Sequence, residues 1–198
     1  MPLLSDRAGK TAEVVVLPAS TEDPSKSPPG LYRMAVLLVC GAVTSFFAAL
    51  VVAYYWRKAS PGVWDQIALP RTLWISTAII LASSVTFEAA RRVYRRGLHA
   101  LSARLMLITA CLGAAFLVAQ LSAWRTLVAQ GAYMQQNPYS SFFYIFTGLH
   151  AAHLLGGLIA LGFVVFGRNP RREVIDAAAY YWHFLLLLWI VLFVVLST

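Results

Sequence analysis

At 198 residues, 60% hydrophobic and only 12% charged, the chain departs from soluble-domain composition, which is about 25% charged and 45–50% apolar. Long uncharged runs, each near the roughly 20 residues a helical span requires, exclude a soluble globular domain and leave room for five spans. The net charge of +8 would point to nucleic acid in a soluble protein, but here it reads first as topology.

Residues 1–30 are polar and hold five of the nine prolines, ending in Pro28-Pro29-Gly30. They read as a flexible tail, and Val14 to Leu17 as a short disordered apolar run within it. A polar tail of this length ahead of the first apolar run does not favour a cleaved secretory signal. Residues 31–198 form the membrane domain, with spans at about 31–56, 71–90, 101–127, 139–166 and 176–197. The first is closed by Tyr54-Tyr55, an interfacial pair, and by Arg57-Lys58. Pro70 takes the first-turn position of the second span. Ser76, Thr77, Ser83, Ser84 and Thr86 give that span small hydroxyl residues suited to close packing and inter-helix hydrogen bonds. Glu88 lies at its end beside Arg91-Arg92 and reads as a neutralised interfacial carboxylate, with a buried functional acid as the alternative. The third span carries Gln120, Trp124 and Arg125 near its end. Asn137-Pro138 caps the fourth, Asn169-Pro170 stops it, and Asp176 is the expected N-cap of the fifth. Cys40 and Cys111 fall inside spans, so buried apolar thiols are expected rather than a disulfide or zinc site.

An N-terminus inside the cell places 12 of the 16 basic residues on the cytoplasmic side, against Arg57, Lys58, Arg71 and Arg125 outside. The positive-inside rule therefore predicts N-terminus in and C-terminus out. Nucleic acid is not an expected partner. No nucleotide fingerprint or nucleophile motif appears, and neither does the internal repeat of a transporter.

Polar residues at membrane depth are costly and usually face protein, which draws attention to His150 and His153 in the fourth span and His183 in the fifth. His150 and His153, three apart, share a side of the helix with Thr147 and Gly157. Tyr180 and Asp176 precede His183 on one face. At about 1.5 Å per residue, His153 lies roughly 20 Å from the inner end of its helix at Phe166. His183 lies about 10 Å from Asp176, a mismatch of about two turns that argues against a shared haem. A His pair without a nearby carboxylate is also a poor metal set, lacking the Glu-x-x-His pattern of bundle di-iron sites. The expectation is that these imidazoles donate to carbonyls or hydroxyls of neighbouring helices or hold a lipid head group. Gly148, Ala152 and Gly156, four apart, form a smooth face for helix packing.

Two segments carry a family resemblance. The run from Ser141-Phe142-Phe143-Tyr144 through Thr147-Gly148-Leu149-His150 to His153 and Gly156-Gly157 resembles subunit III of the haem–copper terminal oxidases. Ala177 to Phe184, containing Tyr180-Tyr181-Trp182-His183, with Trp189 beyond, is similar to that family's signature helix. Ser76 to Thr86, and Gln120 with Trp124, match more weakly and in order. The resemblance covers about Gly30 to Thr198 and is to the five-helix bacterial form, which lacks the first two of seven helices. It implies a non-catalytic subunit of the bacterial cytoplasmic (inner) membrane, with no catalytic or metal-ligating residue and no cofactor of its own beyond bound phospholipid. Haem and copper are implied for partners, the catalytic subunit I and the copper-bearing subunit II, within an oxidase or a larger respiratory supercomplex. The chain would support assembly, lipid binding and proton uptake during oxygen reduction. Thr147, Gly148, His150, His153, Gly157, Tyr181, Trp182 and His183, together with Glu88, are the expected structural or lipid-contact positions. Two departures stand out: Gly41 occupies the place of a family glutamate, and Leu186 that of an aspartate. Their absence places any proton-antenna role in doubt. Two other classes stay open, an accessory protein of nitric-oxide reductase and a haem-bearing membrane electron carrier.

Overall fold

The computed structural model describes residues 30–62, 64, 69–131, 133, 137–167 and 170–198. Five helices account for nearly all of them: α1 (Leu31–Ala59), α2 (Thr72–Arg95), α3 (His99–Ala129), α4 (Pro138–Phe166) and α5 (Arg172–Ser197). Each is long and apolar enough to cross a membrane, and no strand occurs among the described residues. The expected tail, with Arg7, Lys10 and Lys26, lies outside the described residues, as do Arg168 and Asn169.

The helices outrun the sequence-read spans at their polar ends. α1 continues to Ala59, α2 to Arg95, and α3 begins at His99. Hydropathy marks the hydrocarbon-facing part of a helix, whereas the peptide groups of the next turn still gain intrahelical bonds. The same reason moves the start of α5 back to Arg172, so that Asp176 lies one turn inside the helix rather than at its cap. Pro70 stands just ahead of α2, where its carbonyl accepts from Leu73 N at 3.0 Å. The α4 start follows the sequence reading, with Pro138 in the first turn and the Asn137 side chain accepting from Tyr139 N at 3.0 Å. Asn137→Ala is expected to cost about 1 kcal/mol, read as a lower thermal midpoint of the solubilised chain. Gly97, at φ +81°, makes the tight α2–α3 turn with a conformation that disfavours any side chain.

Helices α2, α3, α4 and α5 form an antiparallel ring in which each touches the next and α5 closes on α2. The registers are fixed by pairs such as Ser102 with Ala90, Trp124 with Thr147, Tyr139 with Leu196, and Trp182 with Ser83. α1 lies outside this ring, against α5 and α4 and touching neither α2 nor α3 among the described residues. It runs parallel to α5, with Lys58 Nζ donating to Thr198 O at 2.7 Å. Tyr54 packs edge-on to Trp64 and Phe142 and is fully buried, so only Tyr55 of the expected interfacial pair is exposed. Large apolar residues such as Leu37, Val85 and Phe163 cover the outer surface. Lipid tails solvate such residues as well as protein does, so close packing and interior hydrogen bonds hold the bundle together.

Candidate functional site

The ring interior is organised around two tryptophans of α5. Trp182 is 1% exposed and donates through Nε1 to Ser83 Oγ at 3.1 Å, and Ser83 Oγ donates in turn to Thr109 O at 3.1 Å. The indole lies between two glycines. A Cβ on Gly113 of α3 would stand 2.8 Å from Trp182 Cη2, and one on Gly157 of α4 3.6 Å from its Cε3. About two turns further on, Trp189 donates to Thr77 Oγ1 at 3.0 Å and packs edge-on to Phe116. Gln120 Nε2 reaches Ser76 Oγ at 3.2 Å, and Trp124 Nε1 reaches Thr147 Oγ1 at 3.0 Å. The hydroxyl-rich α2 thus supplies acceptors to indoles and an amide from two other helices, each bond adding on the order of 1 kcal/mol.

The three histidines occupy three different surroundings. His150 is completely buried in the ring, tilted against Trp189 with ring centroids 5.3 Å apart and edge-on to Phe116 at 5.8 Å. Neither of its nitrogens has a hydrogen-bond partner among the described residues, contrary to the expectation that it donates to a neighbouring helix. His153 is half-buried and faces α1 through Phe47, with Nδ1 donating to Leu149 O of its own helix at 2.7 Å. Tyr181 OH donates to the His153 carbonyl at 3.3 Å. His183 points to α2, where Nδ1 meets the Ser84 hydroxyl. Residues three apart diverge by about 60° around a helix, enough to put His150 inside the ring and His153 on the α1 side. α5 starts at Arg172, four residues earlier than expected, which shrinks the depth mismatch between His153 and His183. His153 lies near the level of Tyr181, so facing, more than depth, separates it from His183.

A second cluster joins α2 and α5 at the end carrying Arg91, Arg92, Arg95, Arg96, Arg171 and Arg172. Glu88 Oε1 accepts from Arg91 Nη2 at 2.9 Å and Arg92 Nε at 2.8 Å, while Oε2 accepts from Arg91 Nε at 2.8 Å. Asp176 pairs with Arg95 Nη2 at 2.9 Å and with Arg91 Nη1 at 3.4 Å. The Arg91 guanidinium lies 5.8 Å from the Tyr180 ring centroid, a cation–π distance. His183 Nε2 is 3.6 Å from Glu88 Oε2, beyond hydrogen-bond length. Glu88 is thus a paired carboxylate, as the first of its two readings has it.

Thr147, His150, Gly157 and Trp182 are therefore buried inside the ring. Gly148, His153, Tyr181, His183 and Glu88 are partly open. Ala152 and Gly156 face outward and a Cβ on Gly156 meets nothing within 4 Å. Among the described residues the small-residue stripe meets a neighbouring helix only at Gly148, where a Cβ would stand 3.5 Å from Trp124. Cys111 is likewise exposed rather than buried. Sequence reasoning missed Gly113, Phe116 and the Arg91–Asp176 pair. Only a helix-to-helix register reveals them, although the spacing of Asp176, Tyr180 and His183 at i, i+4 and i+7 already put these three on one face. No group of three or more His, Cys, Asp or Glu side chains able to hold a metal occurs among the described residues. His150→Leu is expected to hold or raise the thermal midpoint, by on the order of 1 kcal/mol, because two unsatisfied buried nitrogens are removed. A lowered midpoint would show that the imidazole is bonded in the membrane.

Fold and interior define a class: a polytopic five-helix membrane protein with an indole–hydroxyl core and one charged helix end. The family model for Cytochrome c oxidase subunit III matches residues 29–198, the whole bundle. The chain belongs to this family. It is 34% identical over 180 residues to a Cytochrome c oxidase subunit 3 of Corynebacterium diphtheriae, covering 84% of this chain and 87% of that protein. A Probable cytochrome c oxidase subunit 3 of Mycobacterium bovis is 30% identical over 183 residues, 87% and 90% of the two chains. A Cytochrome bo(3) ubiquinol oxidase subunit 3 of Pseudomonas aeruginosa is 27% identical over 164 residues, 79% and 77%.

Proposed function

We propose that the chain is the non-catalytic subunit III of a bacterial haem–copper terminal oxidase in the cytoplasmic (inner) membrane. It packs there on the catalytic subunit I, in a complex with the copper-bearing subunit II, and retains phospholipid. The observation that carries this reading is the family match, which spans all five helices and the polar core they enclose. The role is assembly and support of proton uptake during oxygen reduction, with electron transfer left to haem and copper in the partners. Gly41, on the open face of α1 with nothing within 4 Å of a Cβ, provides no carboxylate for an antenna. Orientation follows from charge. The antiparallel order puts Arg91, Arg92, Arg95, Arg96, Arg171 and Arg172 at one end and Arg57, Lys58, Arg71 and Arg125 at the other, and the richer end faces the cytoplasm.

The test is purification of the tagged full chain from its native membranes, with mass identification of its companions and an absorption spectrum. A large haem–copper subunit is expected in stoichiometric amount. Recovery of a homo-oligomer without such a subunit defeats the reading, and a nitric-oxide reductase companion selects the alternative. Haem bound to the isolated chain would instead make it an electron carrier.

A further inference from the structure

We infer that the arginine-rich end of the bundle is a docking surface for an acidic segment of a partner protein, with one apolar side chain of that segment seated between α2, α3 and α4. Such docking goes beyond the proposed function and rests on its one premise that the chain works inside a multi-subunit complex.

The seat is a pocket of about 170 Å³ lined by Tyr94, His99, Ser102, Met106, Val164 and Pro170. Its frame is tied together across helices. Tyr94 OH donates to Pro170 O at 2.6 Å, and Ser102 Oγ donates to Ala90 O at 2.9 Å. The exposed His99 ring stands edge-on to Tyr94, with centroids 4.6 Å apart. Small-molecule and cofactor sites occupy roughly 300–1,000 Å³, so this pocket is undersized for a ligand and suits a single side chain. Protein interfaces place such an anchor in a packed pocket within a polar rim.

The rim carries cations that nothing in the bundle neutralises. Glu88 and Asp176 are already taken by Arg91, Arg92 and Arg95. Arg96, Arg104, Arg171 and Arg172 are exposed and have no carboxylate partner among the described residues. Glu173 is the one other carboxylate described at this end, so positive charge stays in excess. Arg95-Arg96 follow Tyr94 in the chain and Arg171-Arg172 follow Pro170, so the Tyr94–Pro170 bond brings both pairs to the edge of the pocket.

Residue type narrows the partner. Membrane orientation counts lysine and arginine alike, yet every basic residue described at this end is arginine. Arginine presents a flat fork that grips a carboxylate through two parallel bonds, which lysine cannot do. A phosphate fits the fork as well, but an acyl chain overfills the pocket and a nucleic acid has no apolar side chain to seat there. A peptide supplies both parts, carboxylates for the forks and an anchor for the seat.

The experiment is zero-length coupling in native membranes, before any detergent, on the full chain carrying Arg96→Lys or Arg172→Lys. Each variant keeps the charge and adds a reactive amine. A water-soluble carbodiimide joins that amine to a carboxylate in contact with it, and mass spectrometry of the purified complex identifies the linked peptide. Both variants should link to one acidic segment of the same companion protein, and Arg71→Lys at the opposite end should not. Ala103→Phe, which fills the pocket from an exposed position of α3, should lower the yield of Arg96→Lys about five-fold, as loss of an anchor does. Links scattered over many proteins, links only to residues 1–29 of this chain, or amines joined to lipid in place of peptide overturn the inference. So does an unchanged yield with Ala103→Phe. Companions that co-purify without a link overturn it and leave subunit III function standing. A linked companion from a complex without haem and copper upholds this surface and counts against that function, and recovery of no companion defeats both.

Discussion

Trp182→Ala is expected to lower the stability of the solubilised chain by about 3 kcal/mol, the low end for deleting a buried Trp. In a bilayer the deleted side chain gives up little transfer energy, since hydrocarbon is as apolar as the core. What is lost is dispersion contact across the cavity left behind. That cavity would open among Phe87, Gly113 and Gly157, on three helices, so no single neighbour can relax to fill it. Trp182→Phe removes the bond to Ser83 and part of the volume, and should cost about 1–2 kcal/mol. Thermal unfolding followed by circular dichroism orders the three proteins. An alanine variant as stable as wild type would mean that the ring is not held at this point.

The second large effect comes from the opposite change at the same contact. Gly113→Val places a β-branched side chain where even one carbon meets Trp182 Cη2 at 2.8 Å and Leu158 Cδ2 at 3.1 Å. The indole cannot retreat, because Ser83 holds its nitrogen and Gly157 closes its other face. Overpacking of this kind costs about 1–3 kcal/mol or more, and valine should sit at the upper limit. Gly113→Ala is a contest of two terms. Helix propensity gains about 0.5–1 kcal/mol, the clash costs more, and a net loss is expected. Gly156→Ala, at the residue beside Gly157 but facing open space, should show the propensity gain alone and raise the midpoint. The same substitution thus takes opposite signs at two glycines, and matching signs would refute the interior packing described for α3 and α5.

Much of the molecule was legible before any coordinates. Five spans followed from apolar length, and the α4 start followed from Asn137-Pro138. That Asp176, Tyr180 and His183 share one face of α5 followed from their spacing, and the family from the residues flanking His150 and His183. The readings that failed did so where a one-dimensional pattern cannot name a neighbour. Gly148, Ala152 and Gly156 have the spacing of a packing stripe, yet α4 turns that stripe outward and presents Thr147, His150, Leu154 and Gly157 to the ring. Helix ends also ran past the hydropathy limits, because backbone bonding does not stop where the hydrocarbon does.

The sequence by itself determined that this is a membrane protein, how many times it crosses, which end is basic, and to which family it belongs. Those properties are sums or spacings along one chain, and bilayer thickness and charge distribution act on them directly. Only the tertiary structure decided that Trp182 is wedged between Gly113 and Gly157, that His150 has no hydrogen-bonding partner among the described residues, and that Asp176 pairs with Arg91 and Arg95 across two helices. Each depends on the rotation and register of one helix against another, and those are set by packing in three dimensions.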